Sequence, residues 1–223
     1  MKKSLLALSL ASLLTPGLAS ADNIAVGVYA GTSGLGLGAT YNLTDAFNLR
    51  GTVNYFDYDY DTTVDDLEYE LDLKLSTLEL LLDWHPLRGG FRVSGGLIGN
   101  GNELSGTGRA RSGTTVEFGD QLFTAAELGT IDATVDFRSV VPYIGIGYGN
   151  LFQGSRLSFT ADLGVMFQGS PSARIRTNPP AGVDPEVAAR IEAARATEEA
   201  SLEDELKRFR HYPIARVGLA YRF

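Results

Sequence analysis

Two histidines, His85 and His211, are the residues best suited to acid–base catalysis in this chain of 223 residues. A hydrolase that uses a histidine as its general base needs a hydroxyl nucleophile and a carboxylate beside that histidine. His85 stands in the turn-like stretch HPLRGG, and His211 is flanked by an arginine and a tyrosine. Neither pattern indicates a triad, so the sequence predicts no catalytic residue, and we interpret the histidines as interfacial side chains.

Carboxylates crowd the stretch FDYDYDTTVDDLEYELD, residues 56–72. Oxygen-rich clusters suit calcium or magnesium, but the glycine of a calcium-binding loop is missing from this spacing. Charge runs are usually solvated, so the preferred interpretation is a negatively charged strand extension above a membrane. We expect no metal and no cofactor. The acidic residues of the run are Asp57, Asp59, Asp61, Asp65, Asp66, Glu68, Glu70 and Asp72.

A different set of charges occupies the polar positions of segments in which apolar and polar residues alternate. The set comprises Arg50, Glu79, Asp83, Arg92, Asp162, Arg216 and Arg222. Alternation with period two is typical of β-strands, so these charges lie on strand faces opposite to apolar ones. Inside a closed sheet such charges are tolerated only when they are paired. The pattern therefore predicts a salt-bridged network in the interior.

Eight segments show this alternation, and together they predict the fold. They are residues 24–30, 35–43, 49–55, 69–84, 91–97, 143–149, 156–167 and 213–223. Their apolar faces lack charge and end in aromatic residues, as in the strands of outer-membrane barrels. An open sheet edge in lipid leaves backbone groups unpaired, so the last strand must pair with the first. The sequence thus predicts an all-β fold, a closed antiparallel eight-stranded transmembrane β-barrel with a lumen filled by side chains.

The segment YELDLKLSTLELLLDW, residues 69–84, departs from simple alternation because its leucines change parity at Ser76-Thr77. One extra residue there, a β-bulge, would restore a single apolar face. With that bulge, Glu70, Asp72 and Lys74 would share a face with Glu79 and Asp83.

One helix is predicted in the last long connection, over residues 184–209. Asp184 suits the N-cap and Pro185 the first helical position. A loop is predicted at 61–68, and a short hairpin is predicted around TTVEF within the connection 100–130.

The long connections, 100–130 and 168–210, alternate with short ones. Outer-membrane barrels have short periplasmic turns and long outside loops, so we expect both termini in the periplasm and the helix outside.

The start of the chain and its composition limit the class of protein. Residues 1–21 carry two lysines, a short apolar stretch and the small residues Ala19-Ser20-Ala21, which predicts a signal peptide cleaved after Ala21 and a barrel domain over 22–223. A net charge of −8 without a basic stripe argues against nucleic acid. GLGLG, residues 34–38, is followed by no predicted helix, so we interpret its glycines as room for bulky neighbours in a narrow lumen.

Several stretches together resemble the small outer-membrane β-barrel proteins of Gram-negative bacteria, the outer-membrane protein A/W-like superfamily. They are NLTDAFNLRG, LLLDWHPLRGGFRVSGG, PYIGIGYGN, ADLGVMFQGSP and the terminal GLAYRF. The resemblance implies a place in the cell outer membrane, among its lipid and lipopolysaccharide. It also implies that Leu219, Tyr221 and Phe223 form a signal for the barrel-assembly machinery, with periplasmic chaperones as further partners during biogenesis.

Three functions fit a barrel of this kind. The preferred hypothesis is a structural or surface-interaction role with a side-chain-filled lumen and no enzymatic activity. The first alternative is a narrow passive conduit for small hydrophobic solutes, and the second is an enzyme that modifies lipids of the outer leaflet. The sequence names no surface ligand.

Overall fold

The computed structural model describes residues 22–64, 67–110, 113–180 and 182–223. The predicted signal peptide and Asp65-Asp66 lie outside these ranges. The strands are β1 (Ile24–Gly31), β2 (Gly34–Thr44), β3 (Phe47–Val64), β4 (Leu67–Trp84), β5 (Phe91–Asn100), β6 (Glu103–Ala110), β7 (Thr115–Phe118), β8 (Gln121–Thr124), β9 (Thr130–Asp136), β10 (Val140–Tyr148), β11 (Leu157–Phe167), β12 (Ser172–Asn178) and β13 (His211–Arg222). The helices are α1 (Ala125–Leu128) and α2 (Pro185–Glu205), and a 3-10 helix, Leu206–Arg210, follows α2.

Eight of these strands close into an antiparallel barrel, which confirms the predicted fold class. Around the barrel the order is β1, β2, β3, β4, β5, β10, β11 and β13. The final strand β13 pairs with β1, so the barrel has no free edge. Closure is what a sheet in lipid requires, because each unpaired backbone group there costs several kcal/mol, as an order of magnitude.

The barrel is apolar on the outside and mainly polar within. Leu35, Leu78 and Leu163 on the outer face are 61–69 % exposed, whereas the side chains between such positions point inward and are buried. A soluble protein rarely exposes an apolar belt of this extent. The belt is therefore a lipid-facing surface, as the alternation in the sequence predicted.

Above the barrel, β3 and β4 continue as a long hairpin and carry a second sheet. The upper part of β4, Leu67–Lys74, pairs with β6, which pairs with β9, which pairs with β12. We call the upper parts of β3 and β4 with β6, β9 and β12 the extension sheet. The predicted loop at 61–68 is wrong, since strands occupy nearly all of it. The long connections 100–130 and 168–210 also contain strands, and β9 follows the first of them. β9 and β12 do alternate apolar with polar residues, but each is only seven residues long, and β6 is interrupted by two glycines.

The predicted β-bulge at Ser76-Thr77 is wrong as well. The register between β3 and β4 runs without a shift from the pair Phe47–Trp84 to the pair Val64–Leu67. Consequently Glu70, Asp72 and Lys74 lie on the outer face of β4, opposite to Glu79 and Asp83. The leucines change parity because β4 leaves the lipid at this point: its outer face is apolar below Thr77 and charged above it.

A second apolar core lies in the extension, beneath α2 and the hairpin formed by β7 and β8. It contains Phe118, Phe123, Leu128, Ile175, Ile191 and Ala194. The short hairpin predicted around TTVEF is confirmed. The predicted helix is confirmed too, with Asp184 accepting a hydrogen bond from the backbone N–H of Glu186 at 2.8 Å. Within the described ranges, no helix is long and apolar enough to cross a membrane.

Candidate functional site

Six of the seven charged residues expected in the interior lie inside the barrel, and each is at most 6 % exposed. Three are arginines (Arg50, Arg92 and Arg216) and three are acids (Glu79, Asp83 and Asp162). They come from β3, β4, β5, β11 and β13, at positions where the side chain points inward. Because the formal charges balance, the group needs no counter-ion. We call these six residues the lumen charge network.

Asp162 lies at the centre of the lumen charge network. Its carboxylate accepts hydrogen bonds from Arg92 Nη2 at 2.7 Å, from Arg50 Nη1 at 3.1 Å and from Arg216 Nε at 3.1 Å. Three guanidinium groups on one carboxylate compensate the cost of removing that charge from water. Asp162 therefore links its own strand, β11, to three others, β3, β5 and β13.

The other two carboxylates of the network, Asp83 and Glu79, each pair mainly with a single arginine. Asp83 forms a bidentate pair with Arg50, with both N–O distances 2.9 Å. Glu79 accepts from Arg216 Nη1 at 2.7 Å. A paired and hydrogen-bonded geometry of this kind is what a buried ion requires.

Neutral polar side chains complete the network, and the sequence interpretation did not single them out. Ser94 Oγ donates to Asp83 at 2.5 Å, and Asn54 Nδ2 donates to Glu79 at 2.8 Å. Both occupy inward positions of their strands, so the period-two pattern could have suggested them. Their short side chains reach only the carboxylate nearest to them.

Arg222, the seventh expected residue, lies apart from this network. Its guanidinium donates to the backbone oxygens of Phe152 at 2.6 Å and Gly154 at 3.3 Å. Among the described residues it has no carboxylate partner. The reason is its place at the end of β13, where the side chain reaches the turn between β10 and β11 rather than the middle of the lumen.

Apolar layers lie on both sides of the charges. Toward the extension sheet, a buried cluster fills the lumen, formed by Leu81, Ile98, Val141, Tyr143, Met166 and Ile214. Toward the termini, Leu151 of the β10–β11 turn packs against Ala25 and Ala220. Apolar packing therefore borders the charges toward both ends of the barrel, and on β4 the two interleave, since Leu81 lies between Glu79 and Asp83.

Glycines make room for the large side chains of this narrow lumen, as predicted. A Cβ on Gly38 would lie 3.0 Å from Cε2 of Tyr29, and one on Gly145 would lie 2.3 Å from the hydroxyl of Tyr143. The Tyr29 ring also lies 5.4 Å from the guanidinium of Arg216. A cation over an aromatic face is a stabilising contact, so Tyr29 supports the network.

The histidines occupy different environments. His85 is 2 % exposed, so the interfacial interpretation is wrong for it. Its Nε2 has no hydrogen-bond partner among the described residues. His211 is exposed at the start of β13 and lies edge-on to the Phe167 ring, with centroids 5.5 Å apart. Among the described residues, no hydrogen bond or ion pair links the His211 side chain to a serine or a carboxylate.

The acidic run forms the strand extension that its sequence predicted. Asp57, Asp59 and Asp61 on β3, and Glu70 and Asp72 on β4, are all exposed. In the described part of the chain, no group of three or more acidic or histidine side chains has the geometry of a metal site.

The residues of the expected assembly signal follow one another along the outer face of β13. Leu219 and Tyr221 are exposed to the lipid side. The rings of Tyr221 and Phe223 meet edge to face with centroids 5.6 Å apart. These apolar groups thus lie together at the barrel end that carries the termini.

Comparison with known proteins shows the fold. No family model matches the chain, and no curated protein sequence matches it. Among solved structures, it is similar to CarO2 of Acinetobacter baumannii with a TM-score of 0.59 and 16 % identity, over 90 % of this chain and 98 % of that one. CarO of the same organism gives a TM-score of 0.57 and 17 % identity, over 90 % and 97 %. The chain therefore has the fold of outer-membrane β-barrel proteins, consistent with the cell outer membrane as its location.

Proposed function

We propose that this chain is an integral outer-membrane barrel with a structural or surface-interaction role, a member of the A/W-like superfamily of Gram-negative bacteria. The observation that carries the proposal is the lumen charge network, which is balanced, buried and bordered by apolar packing toward both ends. Removing one partner from a buried ion pair costs about 3–5 kcal/mol. Opening the lumen by separating these pairs would be similarly unfavourable, so a filled barrel is favoured over the alternative of a conduit for small hydrophobic solutes.

Conductance in planar bilayers tests this proposal. The purified, refolded protein is expected to give no discrete current steps. An otherwise matched variant, Met166→Gly, removes a side chain from the upper apolar layer and serves to show that the assay detects a partly emptied lumen. Discrete steps from the unmodified protein would contradict the proposal and favour the conduit.

The surface role rests on the extension sheet with α2, which lies at the barrel end opposite to the termini. We propose that this end faces outside the cell. Trypsin added to intact cells should then cleave in α2 at Arg190 and in the following 3-10 helix at Lys207 and Arg208, which are all exposed. Protection of α2 in intact cells, together with cleavage after the cells are opened, would place it in the periplasm instead.

We propose that the end of β13 acts in assembly, with the barrel-assembly machinery and periplasmic chaperones as partners and with lipid and lipopolysaccharide around the finished barrel. Leu219 and Tyr221 provide an exposed apolar surface for this step, and the half-buried Phe223 packs against Tyr221. Deleting Phe223 should sharply lower the amount of folded protein in the outer membrane. The control is Phe209→Ala, which removes an exposed aromatic residue at the other end. Equal yields from both variants would contradict the assembly role.

A catalytic role does not form part of the proposal. His211 is exposed and its ring contact is with Phe167, so no residue in the described part of the chain would orient it as a base. Expression of the protein should leave lipid A unchanged, and a new lipid species that disappears in the His211→Ala variant would restore the enzyme hypothesis.

A further inference from the structure

The extension contains a cavity of about 300 Å³ that is separate from the barrel lumen. It lies between the inner face of the extension sheet, the β7–β8 hairpin, α1 and α2. Pockets that bind small molecules span about 300–1,000 Å³ and are mostly apolar with a few polar groups. The cavity is at the lower end of that range, so its size suits a small ligand rather than a macromolecule.

The walls of the cavity are mainly apolar. Ile131 and Ala133 on β9 and Ile175 on β12 form the floor, while Phe118 and Leu128 close the side nearest to the hairpin. Phe118, Leu128 and Ile175 also belong to the second apolar core, so they are held in place by packing. A rigid apolar surface of this kind favours the burial of a hydrocarbon or aromatic group.

Two carboxylates, Glu117 and Glu198, are the charged groups among the residues lining this cavity. Glu198 is half-buried on α2, and Glu117 is exposed on β7. Neither forms an ion pair with any residue in the described part of the chain. By contrast, Glu192 and Glu199 on the same helix both form ion pairs with Arg195. The cavity therefore presents negative charge that the described residues leave uncompensated.

Glu198 is held in position by the hairpin turn. Its Oε2 accepts a hydrogen bond from the backbone N–H of Gly119 at 3.0 Å. Gly119 has a φ of 55° and lies so close to α2 that a Cβ would be 2.1 Å from the carbonyl oxygen of Ala194. The turn, the helix and the carboxylate are thus packed as one unit, which fixes the carboxylate beside the apolar walls.

We propose that this cavity binds a small molecule with an apolar body and a single cationic amine. The apolar body occupies the space over Ile131 and Ile175, and the amine lies near Glu198, with Glu117 adding negative charge at the rim. The amine restores the missing charge balance, whereas an anionic ligand such as a fatty acid would meet two uncompensated carboxylates. This inference deepens the surface role proposed above. It rests on that role in one respect only, namely the side of the membrane that the cavity faces.

Three probes of similar size separate the contributions of charge and apolar surface. Phenethylamine is cationic, phenethyl alcohol is neutral and phenylpropanoate is anionic, while all three carry one phenyl ring. Binding is measured by calorimetry on the full chain in lipid nanodiscs, with empty nanodiscs as the blank for partition into lipid. Phenethylamine should bind most tightly, the alcohol more weakly and phenylpropanoate not detectably.

Two variants locate the binding. Glu198→Gln keeps an oxygen for the Gly119 N–H but removes the charge. It should lower the affinity for phenethylamine about threefold to tenfold, an effect between those expected for an exposed and for a buried charged pair. Its matched control is Glu205→Gln on the same helix, where the side chain is exposed and does not line the cavity. Val116→Trp introduces bulk into the cavity and should abolish binding of both the amine and the alcohol.

The outcomes are decisive in either direction. Equal binding of the three probes, or equal effects of Glu198→Gln and Glu205→Gln, would overturn the charge-selective site. Absence of binding by all three to a protein that keeps its heat-modifiable migration would overturn the site altogether. Neither result depends on conductance, so failure of this inference and failure of the proposed closed barrel are distinguishable.

Discussion

The two halves of β4 show the same strand in two solvents. Below Thr77 the outer face carries Leu78 and Leu80, which are 61 % and 58 % exposed, and the inner face carries the buried Glu79. Above it the outer face carries the exposed Asp72 and Lys74, and the inner face carries Leu75, which is 8 % exposed. Polarity is inverted across a few residues while the backbone pairing continues unchanged.

The inversion teaches that strand polarity follows the surroundings of each face rather than a rule about inside and outside. In lipid, the outer face must be apolar, and the interior can hold charges if they are paired. In water, the outer face can be charged, and the inner face is the one that buries apolar area against α2 and the hairpin. Identical substitutions in the two halves should therefore have different consequences.

The largest difference is expected for removal of a carboxylate. Asp162→Ala leaves three arginines without their shared partner inside the barrel, and it should destabilise the protein by about 3–5 kcal/mol. Asp61→Ala, on the exposed part of β3, should change stability by less than about 0.5 kcal/mol. Urea unfolding in micelles, followed by heat-modifiable migration, measures both. Similar effects of the two variants would show that the lumen charge network does not hold the barrel together.

A somewhat smaller difference is expected when a charge is added to the outer face of β4. Leu80→Arg places a cation in lipid and should cost about 2–4 kcal/mol. Asp72→Arg lies on the same face of the same strand but in water, so its cost should be within about 0.5 kcal/mol. The same unfolding measurement applies. If Leu80→Arg were neutral, the lower half of β4 would not face hydrocarbon.

A local effect is expected for Gly119→Ala in the extension. The substitution strains a backbone with positive φ and forces the hairpin away from Ala194, at a cost of about 1–3 kcal/mol. Hydrogen exchange should become faster in β7 and β8 and stay unchanged in the barrel strands, because the barrel closes without this hairpin. Gly154→Ala, a positive-φ turn glycine whose Cβ would meet no neighbour, is the control for strain alone. Equal local loosening by the two variants would contradict the tight contact with α2.

The smallest effect concerns pH in the hairpin of β3 and β4. The hydrogen bond that the protonated Asp59 donates to Asp72, together with the repulsion between the two carboxyl groups, raises the pKa of Asp59 above its usual range. The folded state then binds a proton more readily than the unfolded state, so this contribution favours folding at low pH and is lost as pH rises through the raised pKa. Exchange protection of the hairpin, corrected for intrinsic rates, should increase slightly from pH 7 to about pH 4.

Asp59→Asn removes the titrating group and should abolish this pH dependence, while Asp57→Asn, opposite Lys74, should retain it. If acidification lowered the exchange protection of the hairpin in the unmodified protein, groups other than Asp59 would control the pH dependence of its stability.

Local pattern in the sequence determined the barrel. Alternation with period two and the absence of charge on the apolar faces identified the eight barrel strands, because each residue of a strand points to the face opposite its neighbour. The same parity identified Arg50, Asp162 and four further charges as inward-pointing. Asp184 and Pro185 located the helix, since capping depends on adjacent residues alone.

Only the tertiary structure decided how these parts meet. The parity change in β4 could be explained equally by a bulge or by a change of solvent, and only the position of β4 relative to β5 and β6 distinguishes them. Sequence placed Arg222 with the other charges, but distance along the barrel axis separates it from them. The strands β6, β9 and β12 and the cavity between sheet and helix depend on partners far apart in the chain, and a local period carries no information about such contacts.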